Sequence, residues 1–171
     1  MSSRILTKGV PLLLIACANA ALAEVRSIEG TYRNPALGYS IQIPRGLKGV
    51  TGDQDGPERG VRISLASGGE IVVFGEPNSL EYKTPEDGVR AELKLKDCES
   101  EQEIRPAAIG KMKGAMGRLV CRDRALILFL AFRPHGEPIY WLRLETTRTH
   151  ESEDAAVLQT VAASFRLIHW R

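Results

Sequence analysis

No stretch beyond the N-terminal region of this 171-residue chain is apolar for long enough to cross a bilayer as a helix, which takes about 20 residues. The longest later run, Ala125 to Phe132, has only strand length and is closed by Arg124 and Arg133. An excess of one charge is missing as well, with 23 Lys and Arg against 21 Asp and Glu. Nucleic-acid binding needs a basic field that neutralises phosphates, so this balance excludes it. Internal repeats, low-complexity tracts and linkers are absent, which points to one domain. So are the serine-hydrolase elbow G-x-S-x-G, the P-loop, G-x-G-x-x-G, H-E-x-x-H and the EF-hand loop. The stretch Gly110-Lys111-Met112-Lys113-Gly114 has the wrong spacing for a phosphate cradle and reads as a flexible loop. The three histidines, His135, His150 and His169, each stand alone in the sequence. A zinc site gathers three or four ligands with a supporting shell. The expectation is no metal, no cofactor and no enzymatic constellation.

What the N-terminus does carry is an address. Arg4 and Lys8 make a positive start, Val10 to Ala18 is a short apolar run, and Ala21-Leu22-Ala23 is a small-x-small cleavage site. Residues 1–23 read as a secretory signal peptide, and residues 24–171 as one exported domain in the periplasm or outside the cell. A second reading competes. Leu14-Ile15-Ala16-Cys17 resembles the lipobox of bacterial lipoproteins, in which Cys17 would be acylated and the domain anchored to a membrane by its lipid. Only that reading brings the protein to a membrane. Cleavage after Ala23 leaves about 148 residues, enough for one domain with a real core. Arg4 and Lys8 leave with the leader, so 21 basic residues then balance 21 acidic ones.

Under either reading Cys98 and Cys121 are the pair that remains, and no C-x-x-C is present. In an oxidising compartment two cysteines of a small domain tend to bond. The loop of about 24 residues that they would close constrains the unfolded chain by roughly 3 kcal/mol. A structural disulfide is expected; two unpaired, inert thiols are the alternative.

Thr31 to Arg33 and Tyr39 to Ile43 read as strands joined by the turn Asn34-Pro35-Ala36-Leu37-Gly38, with Pro44 ending the second. Gly46 to Gly60 reads as an exposed loop, and Val61 to Leu65 and Ile71 to Phe74 as strands. Thr84-Pro85-Glu86-Asp87 opens a helix expected to reach about Asp97, with Val89 and Leu93 on its inner face. Ala108 to Arg118, with Gly110, Gly114 and Gly117, reads as loop leading into a strand. Arg118 to Cys121, Leu126 to Arg133 and Ile139 to Glu145 follow as strands, the last two joined by a Pro134–Pro138 loop. A second helix opens near Glu151, with Glu151, Glu153 and Asp154 at the positive end of its dipole, and Ser164 to Ile168 closes the chain as a strand. These elements predict an α+β domain: a largely antiparallel sheet of about six to seven strands, with one face covered by two helices.

Tyr32-Arg33-Asn34-Pro35-Ala36-Leu37-Gly38-Tyr39-Ser40-Ile41-Gln42-Ile43-Pro44 resembles the opening hairpin of exported domains with the Mog1/PsbP-like fold. Ala163-Ser164-Phe165-Arg166-Leu167, after the second helix, resembles their closing segment. The resemblance implies that fold. It also implies a binding or adaptor role, which in some exported relatives of the kind means neutralising secreted toxins. It brings no site residues.

The residues read as candidates for holding a protein partner are Asp53, Asp55, Glu58 and Arg59 in the long loop, Arg122 in the Arg122-Asp123-Arg124 cluster, and Trp141. The expected function is a non-enzymatic envelope protein that binds a protein partner. An inhibitor or immunity protein of an exported hydrolase is one form of it. A small-ligand carrier with an apolar cavity, or an envelope enzyme with a cryptic site, are the alternatives.

Overall fold

The computed structural model describes residues 26–52, 60–96, 102–134 and 136–168. In chain order the elements are β1 (Arg26–Ile28), β2 (Thr31–Asn34), β3 (Tyr39–Gln42), β4 (Gly49–Thr51), β5 (Gly60–Ser64), β6 (Glu70–Glu76), α1 (Pro85–Lys94), β7 (Gln102–Ile109), β8 (Met112–Cys121), β9 (Arg124–Arg133), β10 (Gly136–Thr147), α2 (Glu151–Ser164) and β11 (Arg166–Leu167). Eight strands form one sheet in the order β1-β4-β5-β6-β10-β9-β8-β7, and β11-β3-β2 form a second. The pairings are antiparallel throughout the described residues. The fold is α+β as expected, but six to seven strands is too few.

Misread glycines account for part of that difference; β1 and most of β7 lie where the sequence reading assigns no element. β4 lies inside the Gly46–Gly60 segment that reads as loop. The glycine-bearing stretch from Ala108 to Arg118 is the heart of the long β7–β8 hairpin. Gly114 and Gly117 do not break this hairpin; they let other backbone and side chains come close. A Cβ at Gly114 would run into the Leu130 carbonyl oxygen, and one at Gly117 into Val89 and Leu93 of α1. Pro106 sits in the middle of β7, the outermost strand on that side of the sheet, and Arg105 pairs with Glu103 beside it at 3.6 Å.

Side chains alternate across the sheet, and each face carries a buried core. Along β9, Ile127, Phe129 and Ala131 enter one core, while Leu126, Leu128 and Leu130 enter the other. This two-sided burial is why the strand reads as an unbroken apolar run. The first face is covered by Leu158, Val161 and Ala162 of α2 and by Tyr32, Tyr39 and Ile41 of the small sheet. The second is covered over β7, β8 and β9 by Val89 and Leu93 of α1. The helices therefore lie on opposite faces, which corrects the expectation that both cover one.

The capping box at α1 forms as its sequence dictates. Asp87 N–H donates to Thr84 Oγ1 at 3.1 Å, Thr84 N–H donates to Asp87 Oδ2 at 3.2 Å, and Pro85 takes the first helical position. The helix stops at Lys94, short of Asp97, and leaves Leu95 exposed. At the start of α2 the acids do more than face a dipole. Asp154 is buried and accepts from Ser67 Oγ at 2.7 Å and from Thr146 Oγ1, tying the helix to the β5–β6 turn and to the end of β10. Glu151 pairs bidentately with Arg118 of β8.

Under the small sheet lies an aromatic cluster. Phe165 stacks on Tyr39 with ring centroids 5.1 Å apart and meets Tyr140 edge-on at 5.0 Å; Tyr39 meets Tyr32 edge-on at 5.9 Å. Tyr140 Oη donates to the Leu37 carbonyl at 2.8 Å, and Tyr39 Oη to that of Val73 at 3.3 Å. Burial pushes both phenols above their ordinary range, Tyr39 far above it.

Candidate functional site

The ladder between β8 and β9 ends at Gly114↔Ala131. Its neighbours run further: β7–β8 continues to Ile109↔Met112, and β9–β10 to Phe132↔Ile139 and Arg133↔Gly136. Two hairpin tips thus part like the prongs of a fork. The β7–β8 prong turns on Gly110 and Lys111, with Gly110 at φ +58. That prong is pinned to the C-terminal end of α2, since Gly110 N–H donates to the Ala162 carbonyl at 2.8 Å. A Cβ at Gly110 would meet the Phe165 carbonyl oxygen. The third side of the fork is β11 and the residue before it.

Between these three elements lies a pocket of about 730 Å³. Its floor is Ile109, Met112 and Phe165, all buried; Phe132, Pro134 and Leu167 form its walls; Lys111, Lys113 and Arg166 stand exposed around it. Phe165 belongs to the aromatic cluster, so the floor is held from behind. Arg166 Nη1 donates to the Ala163 and Phe165 carbonyls, each at 2.7 Å, which fixes the guanidinium beside the pocket. Among the described residues no carboxylate pairs with Lys111, Lys113 or Arg166. An apolar floor ringed by such cations suits a ligand with an apolar body and an anionic group.

The residues expected to hold a partner lie elsewhere. Trp141 is 3 % exposed; its Nε1–H donates to Glu76 Oε1 at 2.8 Å, and its ring packs with Phe74 and Tyr82. It is a core residue of the second face, which corrects its reading as a contact residue. Arg122 is exposed, with φ +53, in the two-residue β8–β9 turn at the opposite end of β8 from the fork. Asp53, Asp55, Glu58 and Arg59 lie outside the described residues, as do Cys17, Cys98, His135 and His169. Cys121 is half-buried at the end of β8 and lines a small pocket with Lys96 and Glu145. His150 caps α2 without a side-chain hydrogen bond. Among the described residues no three His, Cys, Asp or Glu side chains gather as a metal site, and no helix is long and apolar enough to cross a membrane.

Lys111 and Lys113 are not conspicuous in the sequence, because their stretch matches no phosphate motif. The signal they do leave is the Lys-Met-Lys alternation next to a glycine able to turn a hairpin. Nothing in the sequence brings Arg166 to the same place; the contact of Gly110 with the end of α2 does that.

No protein-family model and no curated protein sequence matches this chain. Solved structures do match it. The solution structure of cyanobacterial PsbP (CyanoP) from Synechocystis sp. PCC 6803 superposes with a TM-score of 0.57 at 17% identity, covering 90% of this chain and 98% of that one. A crystal structure of a protein from Bacteroides thetaiotaomicron VPI-5482 superposes with a TM-score of 0.54 at 14% identity, covering 82% of this chain and 49% of that one. The resemblance carried by the first hairpin and the closing segment thus extends to the architecture between them, and the chain has the PsbP-like fold.

Proposed function

We propose that this chain is an exported, non-enzymatic binding protein of the bacterial envelope that holds a protein partner in the fork pocket. The observation that carries the reading is the union of a buried apolar floor with three exposed cations that no described carboxylate neutralises. The floor is set in advance by the stacking of Phe165 on Tyr39, which lowers the ordering cost of binding. An inhibitor or immunity protein of an exported hydrolase is one form of this role, with the partner's loop seated in the fork. A second reading is a small-ligand carrier, favoured by the pocket's volume of about 730 Å³, which falls among those of small-molecule sites.

The proposal includes the covalent features of an exported domain: cleavage after Ala23 or acylation of Cys17, and a Cys98–Cys121 bridge. Support for the bridge comes from the place of half-buried Cys121 beside Lys96, two residues before Cys98 in the sequence. Intact mass of the exported protein, with and without reduction, tests all three.

The test of function is a pull-down from envelope and secreted extracts with the native protein and with Leu167→Trp, which fills the fork from its wall. The expected result is one stoichiometric partner, lost with Leu167→Trp while the melting temperature holds. Equal capture by both proteins overturns the role of the pocket. A small molecule copurifying with the native protein, and no captured partner, transfers the site to the carrier reading.

A further inference from the structure

Resting on that reading, we infer that the occupant of the fork is an extended acidic–apolar polypeptide segment of the partner, its carboxylates against Lys111, Lys113 and Arg166 and its apolar side chains on the floor. The charge pattern supplies the first argument. Arg62 pairs with Glu70, Arg118 with Glu151, and Arg124 and Arg143 with Glu145, whereas the three cations of the fork face no described carboxylate. Complementary charge here selects the partner and speeds its arrival.

The backbone supplies the second. β8 and β9 both continue past their last pair, so Met112 and Lys113 on one prong and Phe132 and Arg133 on the other lie outside the β8–β9 ladder. β11, on the third side, pairs among the described residues with β3 alone and is an edge of the small sheet. An extended chain can take up main-chain groups at such places, as in strand addition. A hydrocarbon tail offers them nothing. The third argument is the arrangement of polarity: Lys111 and Lys113 are exposed on either side of buried Met112. A strand entering the fork with alternating acidic and apolar side chains meets that order residue by residue.

The test uses fluorescence anisotropy with the purified protein and three probes: a labelled peptide alternating Glu and Leu, its Lys–Leu counterpart, and laurate as competitor. The Glu–Leu peptide is expected to bind and the Lys–Leu peptide not to. The double substitution Lys111→Glu, Lys113→Glu should weaken binding about tenfold or more without moving the melting temperature, and added salt should weaken it as well. Equal binding of both peptides, or an unaltered affinity in the double variant, overturns the inference. Laurate binding where neither peptide binds also overturns it and gives the pocket to a small ligand. The two proposals fail separately: a pulled-down partner lost with Leu167→Trp but kept by the double charge variant leaves the pocket in use and removes the acidic segment.

Discussion

The fork and the part of the second sheet face left bare by α1 both carry several cations, and they use them in opposite ways. On the bare face Glu70 of β6 stands directly opposite Glu145 of β10, a like-charge pair that would be destabilising alone. In the next row Arg62 and Arg143 flank Val72. The ion pairs Arg62–Glu70 at 2.6 Å, Arg143–Glu145 at 3.4 Å and Arg124–Glu145 at 3.7 Å draw these charges into one another. At the fork, Lys111, Lys113 and Arg166 lie beside apolar surface with no such partners among the described residues. Balanced net charge therefore says little about where this protein attracts anything. What matters is which charges the fold has already answered.

That contrast can be pressed by substitution. The largest loss of stability should come from Arg118→Ala, which leaves Glu151, 14% exposed, without its bidentate partner; about 2–3 kcal/mol is expected by denaturant melting, with binding to the Glu–Leu peptide retained. Gly110→Ala comes next. Its Cβ meets the Phe165 carbonyl at a positive φ, so about 1–3 kcal/mol should be lost, and peptide binding should fall as the prong lifts from α2. Arg143→Ala removes a half-exposed ion pair and should cost about 0.5–1 kcal/mol, again with binding intact. Lys113→Ala should change stability by less than about 0.5 kcal/mol yet weaken the peptide measurably. If Lys113→Ala unfolded the protein, or Arg143→Ala abolished binding, the division between answered and unanswered charge would be wrong.

Much of the frame is legible in the sequence where local chemistry is strong. The Asn34–Gly38 turn, the Thr84–Asp87 capping box and the acid-rich start of α2 each declare themselves within a few residues. The glycines of β8 mislead because their reason is long-range: Gly117 is small for the sake of Val89 and Leu93, and nothing near it in the chain says so. Asp154 misleads in the same way, since its buried hydroxyl partners come from β10 and the β5–β6 turn. The fork is illegible for a further reason. It exists where one ladder stops and two others go on, and the end of a ladder leaves no mark in the sequence beyond the turn at Gly110.

Pro106 and the neighbouring Glu103–Arg105 pair have a bearing on the company this molecule keeps. A long antiparallel sheet invites any loose strand, including its twin in another molecule, to join its rim. A residue with no N–H in mid-strand, set among charges, makes β7 a poor host. The β7 rim is thereby closed to casual pairing, so on that side of the sheet chance association is kept apart from the binding proposed for the notch between the prongs.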